Sequence, residues 1–310
     1  MKLCLLSFIR NKNVAARKTN DDEKLIMDAA RRMGHKITLI RAEKCHTYCG
    51  HRQLQVFYNN KPFPKFDAII PRVSALGKVH LECIMMKHLE LLGHTLVNRY
   101  YPCINAKNKL RTLEKMVLNN ILVPKTISVT RNEYLDEAIT RVGGVPVVLK
   151  TPFGSLGVGV AIVESKRSLQ SSLDIFWGSS GTRHMLIQEY IKESNGKDIR
   201  VFVVGGKIVA AMERTAQEGD FRSNINAGGA GATVELTYEE KKMALKATKV
   251  MKLQISGVDI LRSDKGPLIM EVNCNPGLKG ITEVTGLDIG GEIVKFAVGF
   301  AKRQKAIRKK

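Results

Sequence analysis

The chain has 310 residues, enough for two or three domains of ordinary size, and its 44% hydrophobic and 25% charged residues are the balance of a globular protein. No apolar run approaches the roughly 20 residues that span a bilayer, so no membrane partner is expected, and "MKLCLLSFIR" suits a buried first strand better than a secretory signal. Six cysteines without framework spacing predict reduced thiols and a cytoplasmic location, while the formal charge of +21 attracts polyanions such as nucleic acid or a strongly acidic substrate.

Residues 1–98 read as alternating strands and helices. "KLCLLSF" is a short apolar strand. "NDDEKLIMDAARRMGH" follows with acids in its first turn and Ile26, Ala29, Ala30 and Met33 at helical spacing. Strands "KITLIRA" and "FDAIIPRVS", helix "HLECIMMKHLELLGH" and strand "TLVN" complete a small parallel α/β domain. No G-x-G-x-x-G follows the first strand, so dinucleotide binding has no support. Within this region "CHTYCGH" gathers Cys45, His46, Cys49 and His51, which reads either as a metal knuckle or as an ordinary polar loop.

A boundary is predicted near residues 100–106. Helical "NKLRTLEKMVLNN" and strand "TISVT" lead through a further helix to "VPVVLKTPFGSLGVGVAIVES", then to "HMLIQEYIKE" and the hairpin "IRVFVVGGKIVAAMERT" turning at Gly205-Gly206. A helix over Tyr238 to about Met251 precedes "GVDILRSDKGPLIMEVNCNPGLKG". Strands and helices are mixed here without strict alternation, so this part is α+β.

That last stretch poses an electrostatic problem. Two aliphatic strands, residues 257–262 and 267–273, joined by a three-residue Asp264-Lys265-Gly266 loop, predict a hairpin with Gly266 at positive φ. This register sets Asp259 opposite Glu271, about 5 Å apart, where like charges destabilise a sheet. Alternation turns Asn273 to the same side. A divalent cation resolves the conflict, because magnesium takes hard oxygen ligands at about 2.1 Å and shares them with nucleotide phosphates. The alternative is a surface pair relieved by nearby lysines or by protonation.

Other signals point to phosphate. Lys150 ends a wholly apolar strand, where a buried ammonium needs an anionic partner. Gly154, Gly157 and Gly159 let the following loop approach a polyphosphate through its N–H groups. Gln188, Glu189 and Tyr190 end another apolar strand, suited to an adenosine. Arg222 and Asn224 flank Ser223 before a glycine-rich turn, and Arg200 and Arg214 on the preceding hairpin can reach the same cavity.

Together, Lys150 with "FGSLGVGV", "LIQEYIKE", "KDIRVFVVGGKIVAAMER", "EGDFRSN", "SGVDILRS" and "GPLIMEVNCNPGLKGI" resemble the ATP-grasp ligases. Within them the chain is most similar to the ribosomal protein S6–L-glutamate ligase (RimK-like) group, over nearly its whole length. The resemblance implies α/β and α+β architecture in an ATP-grasp fold: a preATP-grasp domain over residues 1–100, a central lid domain over 101–190, a catalytic domain over 191–300 and a basic tail over 301–310. It assigns ATP contacts to Lys109, Lys150, Glu189, Tyr190 and Asp198, with Arg222, Ser223 and Asn224 in the same phosphate site. Two magnesium or manganese ions fall to Asp259, Glu271 and Asn273, and acylphosphate stabilisation to Arg214 or Arg222.

The reaction so implied activates a carboxylate as an acylphosphate, which an amine then displaces. The expected amine is L-glutamate and the expected acceptor is an acidic peptide or an S6-like C-terminus. Ribosome or RNA proximity and a homo-oligomer, a tetramer in the resembled group, are further expectations. The chain departs from the group's pattern at Thr215, Asn226, Ala227 and Lys279, residues near the expected acceptor. Two other readings therefore stand: template-free poly-glutamate or small-molecule ligation by the same fold, and a non-catalytic ribosome- or RNA-associated binding protein.

Overall fold

The computed structural model describes residues 1–8, 20–73, 79–154, 159–179, 183–217 and 229–308. β1 (Lys2–Ser7) is almost wholly apolar and buried, as a strand covered on both faces must be. α1 (Asp21–Arg32) starts at a reciprocal cap. Asn20 Oδ1 accepts from the Glu23 N–H at 2.8 Å, and Glu23 in turn accepts from the Asn20 N–H; such caps contribute about 1 kcal/mol. β2 (Lys36–Arg41) returns parallel to β1. β3 (Cys45–Gly50), β4 (Gln53–Tyr58) and β5 (Lys61–Pro62) then form an antiparallel meander. This corrects the reading of "CHTYCGH": it is neither loop nor knuckle but strand, with His46 stacked on Phe57 at 5.0 Å between ring centroids. Among the described residues no three His, Cys, Asp or Glu side chains gather to hold a metal.

β6 (Ala68–Arg72) completes a parallel sheet in the order β2-β1-β6. The helix predicted over residues 80–94 forms as two pieces, α2 (Val79–Glu82) and α3 (Ile84–Leu91), separated at Cys83. "TLVN" joins the sheet through a single bridge, Ile69 to Leu96, rather than as a full strand. α4 (Tyr100–Ala106) and α5 (Lys109–Val117) follow.

A second sheet, antiparallel and ordered β7-β10-β8-β9, is built from β7 (Thr126–Val129), β8 (Val147–Lys150), β9 (Val160–Val163) and β10 (Met185–Glu189), with α6 (Leu135–Val142) and α7 (Lys166–Ser179) between them. Its core, including Leu135, Leu149, Leu169, Leu173 and Ile187, is separate from the rest.

The third sheet begins with the hairpin of β11 (Lys197–Val204) and β12 (Lys207–Thr215). Gly205 and Gly206 both sit at positive φ, 59° and 78°, the geometry a two-residue hairpin turn requires. β13 (Ala230–Thr233), α8 (Tyr238–Val250), β14 (Ile255–Ser263), β15 (Gly266–Asn273), α9 (Lys279–Thr285) and α10 (Ile289–Arg308) complete the chain, the strands ordered β13-β12-β11-β14-β15. On one face Val201, Val258 and Val272 pack with Ala244 and Ala247 of α8, in a cluster that also takes in Cys4 and Leu6. On the other, Phe202 and Val204 pack with Ile293 and Ala297 of α10 and with Leu3, Leu5 and Ile26. Each such buried Leu, Ile, Val or Phe contributes about 1.5–3 kcal/mol. The first and last thirds of the chain thus share cores, while the second sheet keeps its own.

The basic stretch from Ala301 continues α10 as far as Arg308, with Ala301 buried and Lys305 paired to Asp67. No described helix is long and apolar enough to cross a membrane.

Candidate active site

The β14–β15 ladder starts one residue tighter than predicted. Ser263 pairs with Gly266 across a two-residue Asp264-Lys265 turn, which gives Arg262–Pro267, Leu261–Leu268 and Ile260–Ile269. A register shift between Ile260 and Asp259 leaves Met270 as the extra residue and restores Asp259 opposite Glu271 and Gly257 opposite Asn273. The two carboxylates face each other as predicted, through a bulge rather than through a longer turn.

Their repulsion is relieved by arginine. Arg200 lies directly across β11 from Asp259 and grips it with both arms of its fork, Nε on Oδ1 and Nη2 on Oδ2, the latter at 2.8 Å. Arg214, opposite Asp198, holds that carboxylate through Nε and Nη2, each at 2.6 Å, and reaches Asp259 Oδ2 at 3.2 Å. All four residues are buried, where ions persist only in such pairs. Burial pushes the Asp259 carboxyl up, but Arg200 and Arg214 outweigh it and hold the group below its ordinary value. Against its own desolvation, Arg214 is raised by Asp259 and Asp198. Gly257 makes room for this arrangement: a Cβ there would lie 2.7 Å from Pro276 Cβ and 3.1 Å from Arg200 Cδ. The expectation that a bound cation is what makes the facing acids tolerable is therefore corrected, because Asp259 is already neutralised by two arginines.

Glu271 is the member left over. Its half-buried carboxylate has no hydrogen bond or ion pair among the described residues. Asn273 lies on the same face, its Nδ2 3.3 Å from Asp259 Oδ2. Two carboxylates and an amide oxygen at one end of a hairpin are a hard donor set, of the kind that suits magnesium or manganese.

The opposite bank is cationic. Lys150 is 8% exposed at the end of β8, and the hydrogen bond of its Nζ goes to a neutral amide oxygen, Gln188 Oε1, at 2.6 Å. Gln188 is in turn held by donating to Thr126 Oγ1 at 2.8 Å. Burial, and then the nearby Lys109 ammonium, lower the Lys150 pKa from 10.5 to about 8, opposed by the fields of Glu271, Asp198 and Asp259. Lys109 roots the glycine-rich loop, its Nζ on Gly154 O at 3.0 Å and its N–H on Pro152 O at 2.9 Å. Two ammonium groups held close, with no carboxylate bonded to either among the described residues, mark a place for an anion. Glu189 sits toward the hairpin turn: it accepts from the Lys125 N–H at 3.1 Å and from Lys265 Nζ at 3.2 Å. Tyr190, half-buried, follows it.

Arg222, Ser223, Asn224, Asn226, Ala227 and Gly157 lie outside the described residues. Lys279 pairs with Asp21 at 2.9 Å in an exposed contact. Both Asp198 oxygens accept from Arg214, which ties this carboxylate to the Arg214 fork. Arg200 and Gln188 emerge as the partners that set Asp259 and Lys150. Alternation was the available signal for Arg200, two residues from Asp198 on the same face.

Comparison with known proteins identifies the family. A model described as "RimK PreATP-grasp domain" matches residues 1–100, and one described as "RimK-like ATP-grasp domain" matches residues 106–297. A probable alpha-L-glutamate ligase of Marinomonas sp. (strain MWYL1) is 39% identical over 87% of this chain and 89% of its own length. A ribosomal protein bS6–L-glutamate ligase of Shigella boydii serotype 4 (strain Sb227) is 36% identical over 92% of this chain and 94% of its own. The crystal structure of a RimK domain ATP-grasp protein from Sphaerobacter thermophilus superposes with a TM-score of 0.73 at 21% identity, covering 96% of this chain and all of that one, and so shares the fold. With one family model matching residues 1–100 and the other residues 106–297, the chain belongs to the RimK-like ATP-grasp family.

Proposed function

We propose that this chain, an ATP-dependent ligase by family, joins L-glutamate to the C-terminal carboxylate of a protein or peptide, with an S6-like acidic end as acceptor. The observation that carries the reading is the mismatch between the banks: Lys150 and Lys109 without a bonded anion, opposite Glu271 without a bonded cation. ATP phosphates with their metal complete both. The relatives named as glutamate ligases supply the amine.

Lys150 and Lys109 would hold phosphates, and Glu189 and Tyr190 would meet the adenosine. Asp259, Glu271 and Asn273 would hold magnesium or manganese, which neutralises charge on the transferring phosphoryl group. The acceptor carboxylate attacks the γ-phosphorus, ADP departs and an acylphosphate forms. The amine of glutamate then attacks the acyl carbon, phosphate leaves, and the amine's proton passes to solvent or phosphate. The residues act by positioning and by charge. Asp198 contributes by fixing Arg214, and Arg222, Ser223 and Asn224 keep the phosphate role that the family resemblance gives them. In this reading the second sheet, with its separate core, is the lid over the nucleotide.

A second reading, in which the acceptor is poly-glutamate itself or a small molecule, is favoured by Thr215, which stands beside Arg214 where the resembled pattern has a second carboxylate-binding arginine. Within the same proposal, the exposed apolar side chains Leu81, Ile84, Leu91 and Tyr101 support a homo-oligomer, a tetramer in the resembled group, and six free thiols support a cytoplasmic location. The test is ADP release with ATP, magnesium, glutamate and an acidic peptide. Release that needs both glutamate and peptide supports the first reading, release with glutamate alone supports the second, and ATP turnover indifferent to every amino acid contradicts both.

A further inference from the structure

The end of β15 that carries Asn273 is held by the first third of the chain. From Cys274 to Lys279 every residue but Gly277 is hydrogen-bonded to that part. Cys274 O accepts from Asn98 Nδ2 at 3.1 Å, Asn275 Nδ2 donates to Val73 O at 2.8 Å, and Pro276 O accepts from Arg72 Nη1 at 3.1 Å. The N–H groups of Leu278 and Lys279 each donate to Asp22 Oδ1 at 2.9 Å. Arg72 and Asp22 are themselves joined at 2.7 Å.

Asn98 does more than tie two parts together. Its Oδ1 accepts from the N–H groups of Gln254 and Ile255 at 2.8 and 3.1 Å, and its Nδ2 donates to Ile255 O at 2.8 Å as well as to Cys274 O. Two lone pairs and two N–H groups are the whole capacity of a side-chain amide, and all are used. The last rung of the β14–β15 ladder is Gly257–Asn273. Beyond it Ile255 pairs with Val204 on β11 but has no partner on β15. The Asn98 amide stands in for the missing rung, at the point where a hairpin would otherwise fray.

We propose that Asn98 is a positioning residue of the metal site: by pinning Cys274 O to the start of β14, it fixes the backbone of Asn273 and the register of Glu271 against Asp259 before a cation arrives. This rests on the assignment of Asp259, Glu271 and Asn273 as the metal ligands. Groups that orient metal ligands from behind influence affinity strongly, by about 10–100-fold on removal. A purely structural tie between two parts of the chain would lower stability and leave the affinity of the folded protein for metal alone.

The test is manganese binding to the ADP-loaded protein, read from the electron paramagnetic resonance signal of free manganese. Asn98→Asp keeps the shape and both accepted bonds but turns an oxygen toward two carbonyls. It is expected to weaken manganese binding by about 10-fold or more, to leave ADP affinity without metal unchanged, and to speed amide exchange at residues 273–279 in the metal-free protein. Should it not fold, Asn98→Ser is read in the same way. Thr248→Val, which breaks a buried 2.7 Å hydrogen bond to Ser256, controls for lost stability and should bind manganese as the wild type does. A folded Asn98 variant with wild-type manganese affinity, or equal weakening in Thr248→Val, overturns the proposal. Wild-type protein that binds no manganese overturns the ligand assignment itself, which separates the two failures.

Discussion

The two banks of the site are finished to different degrees. On the acidic bank Asp198, Arg214, Asp259 and Arg200 satisfy one another across three strands, and the network needs no ligand to be stable. On the cationic bank Lys150 is buried beside Lys109 and meets only an amide oxygen. The difference teaches that buried charge of one kind is structural and of the other kind is waiting. The complete Asp198–Arg214–Asp259–Arg200 network fixes geometry, and the groups left over, Lys150 on one bank and Glu271 on the other, bind.

The largest expected effect breaks the complete bank. Asp259→Ala leaves Arg200 and Arg214 buried with one carboxylate between them, so unfolding free energy should fall by about 3–5 kcal/mol with loss of ADP release, as chemical denaturation and a turnover assay would show. Lys150→Met should separate the banks. It removes a desolvated cation, so the nucleotide-free protein should be no less stable, while ATP affinity falls by about 10–100-fold in a nucleotide titration.

The pH dependence follows from the same lysine. Its folded pKa of about 8 lies below the 10.5 of the unfolded chain. Between those values the unfolded state binds the extra proton, so stability without nucleotide should rise with pH across that window, by up to roughly 3 kcal/mol. Below pH 8 the group is charged in both states and contributes no slope. Nucleotide binding above pH 8 should take up a proton, measurable as a buffer-dependent heat. In Lys150→Met both signals should vanish. The smallest effect belongs to Lys265→Ala, which removes the mostly exposed contact to Glu189 and should change stability by no more than about 1 kcal/mol.

Much of this was legible in the sequence, because much of it is local. The parallel first domain followed from apolar runs alternating with helices, the first with acids in its opening turn and apolar residues at helical spacing. The facing of Asp259 and Glu271 followed from side-chain alternation, although the extra residue proved to be Met270 in a bulge and not a third turn residue. Turn length and bulge position trade against each other, and a register sum does not distinguish them. That Arg200 and Arg214 can reach this cavity was legible too, but which carboxylate each one grips was not. Arg200 meets Asp259 because β11 neighbours β14, a pairing across about sixty residues that periodicity does not encode. The meander over residues 45–62 carried a legible alternation, masked by cysteines and histidines that suggested metal. The apolar residues of α10, Ile289, Ile293, Val294, Ala297 and Ala301, were likewise at helical spacing, but the basic end drew the reading toward a tail.

The measurement that bears most directly on the central claim is the mass of the product. Incubated with ATP, magnesium, L-glutamate and a peptide ending in acidic residues, the protein should yield peptide heavier by whole glutamyl units, with one ADP formed for each unit added. The Lys150→Met protein should yield far less at the same, sub-saturating ATP concentration. Unmodified peptide alongside continued ATP consumption, with no glutamate incorporated into any acceptor, would contradict the account.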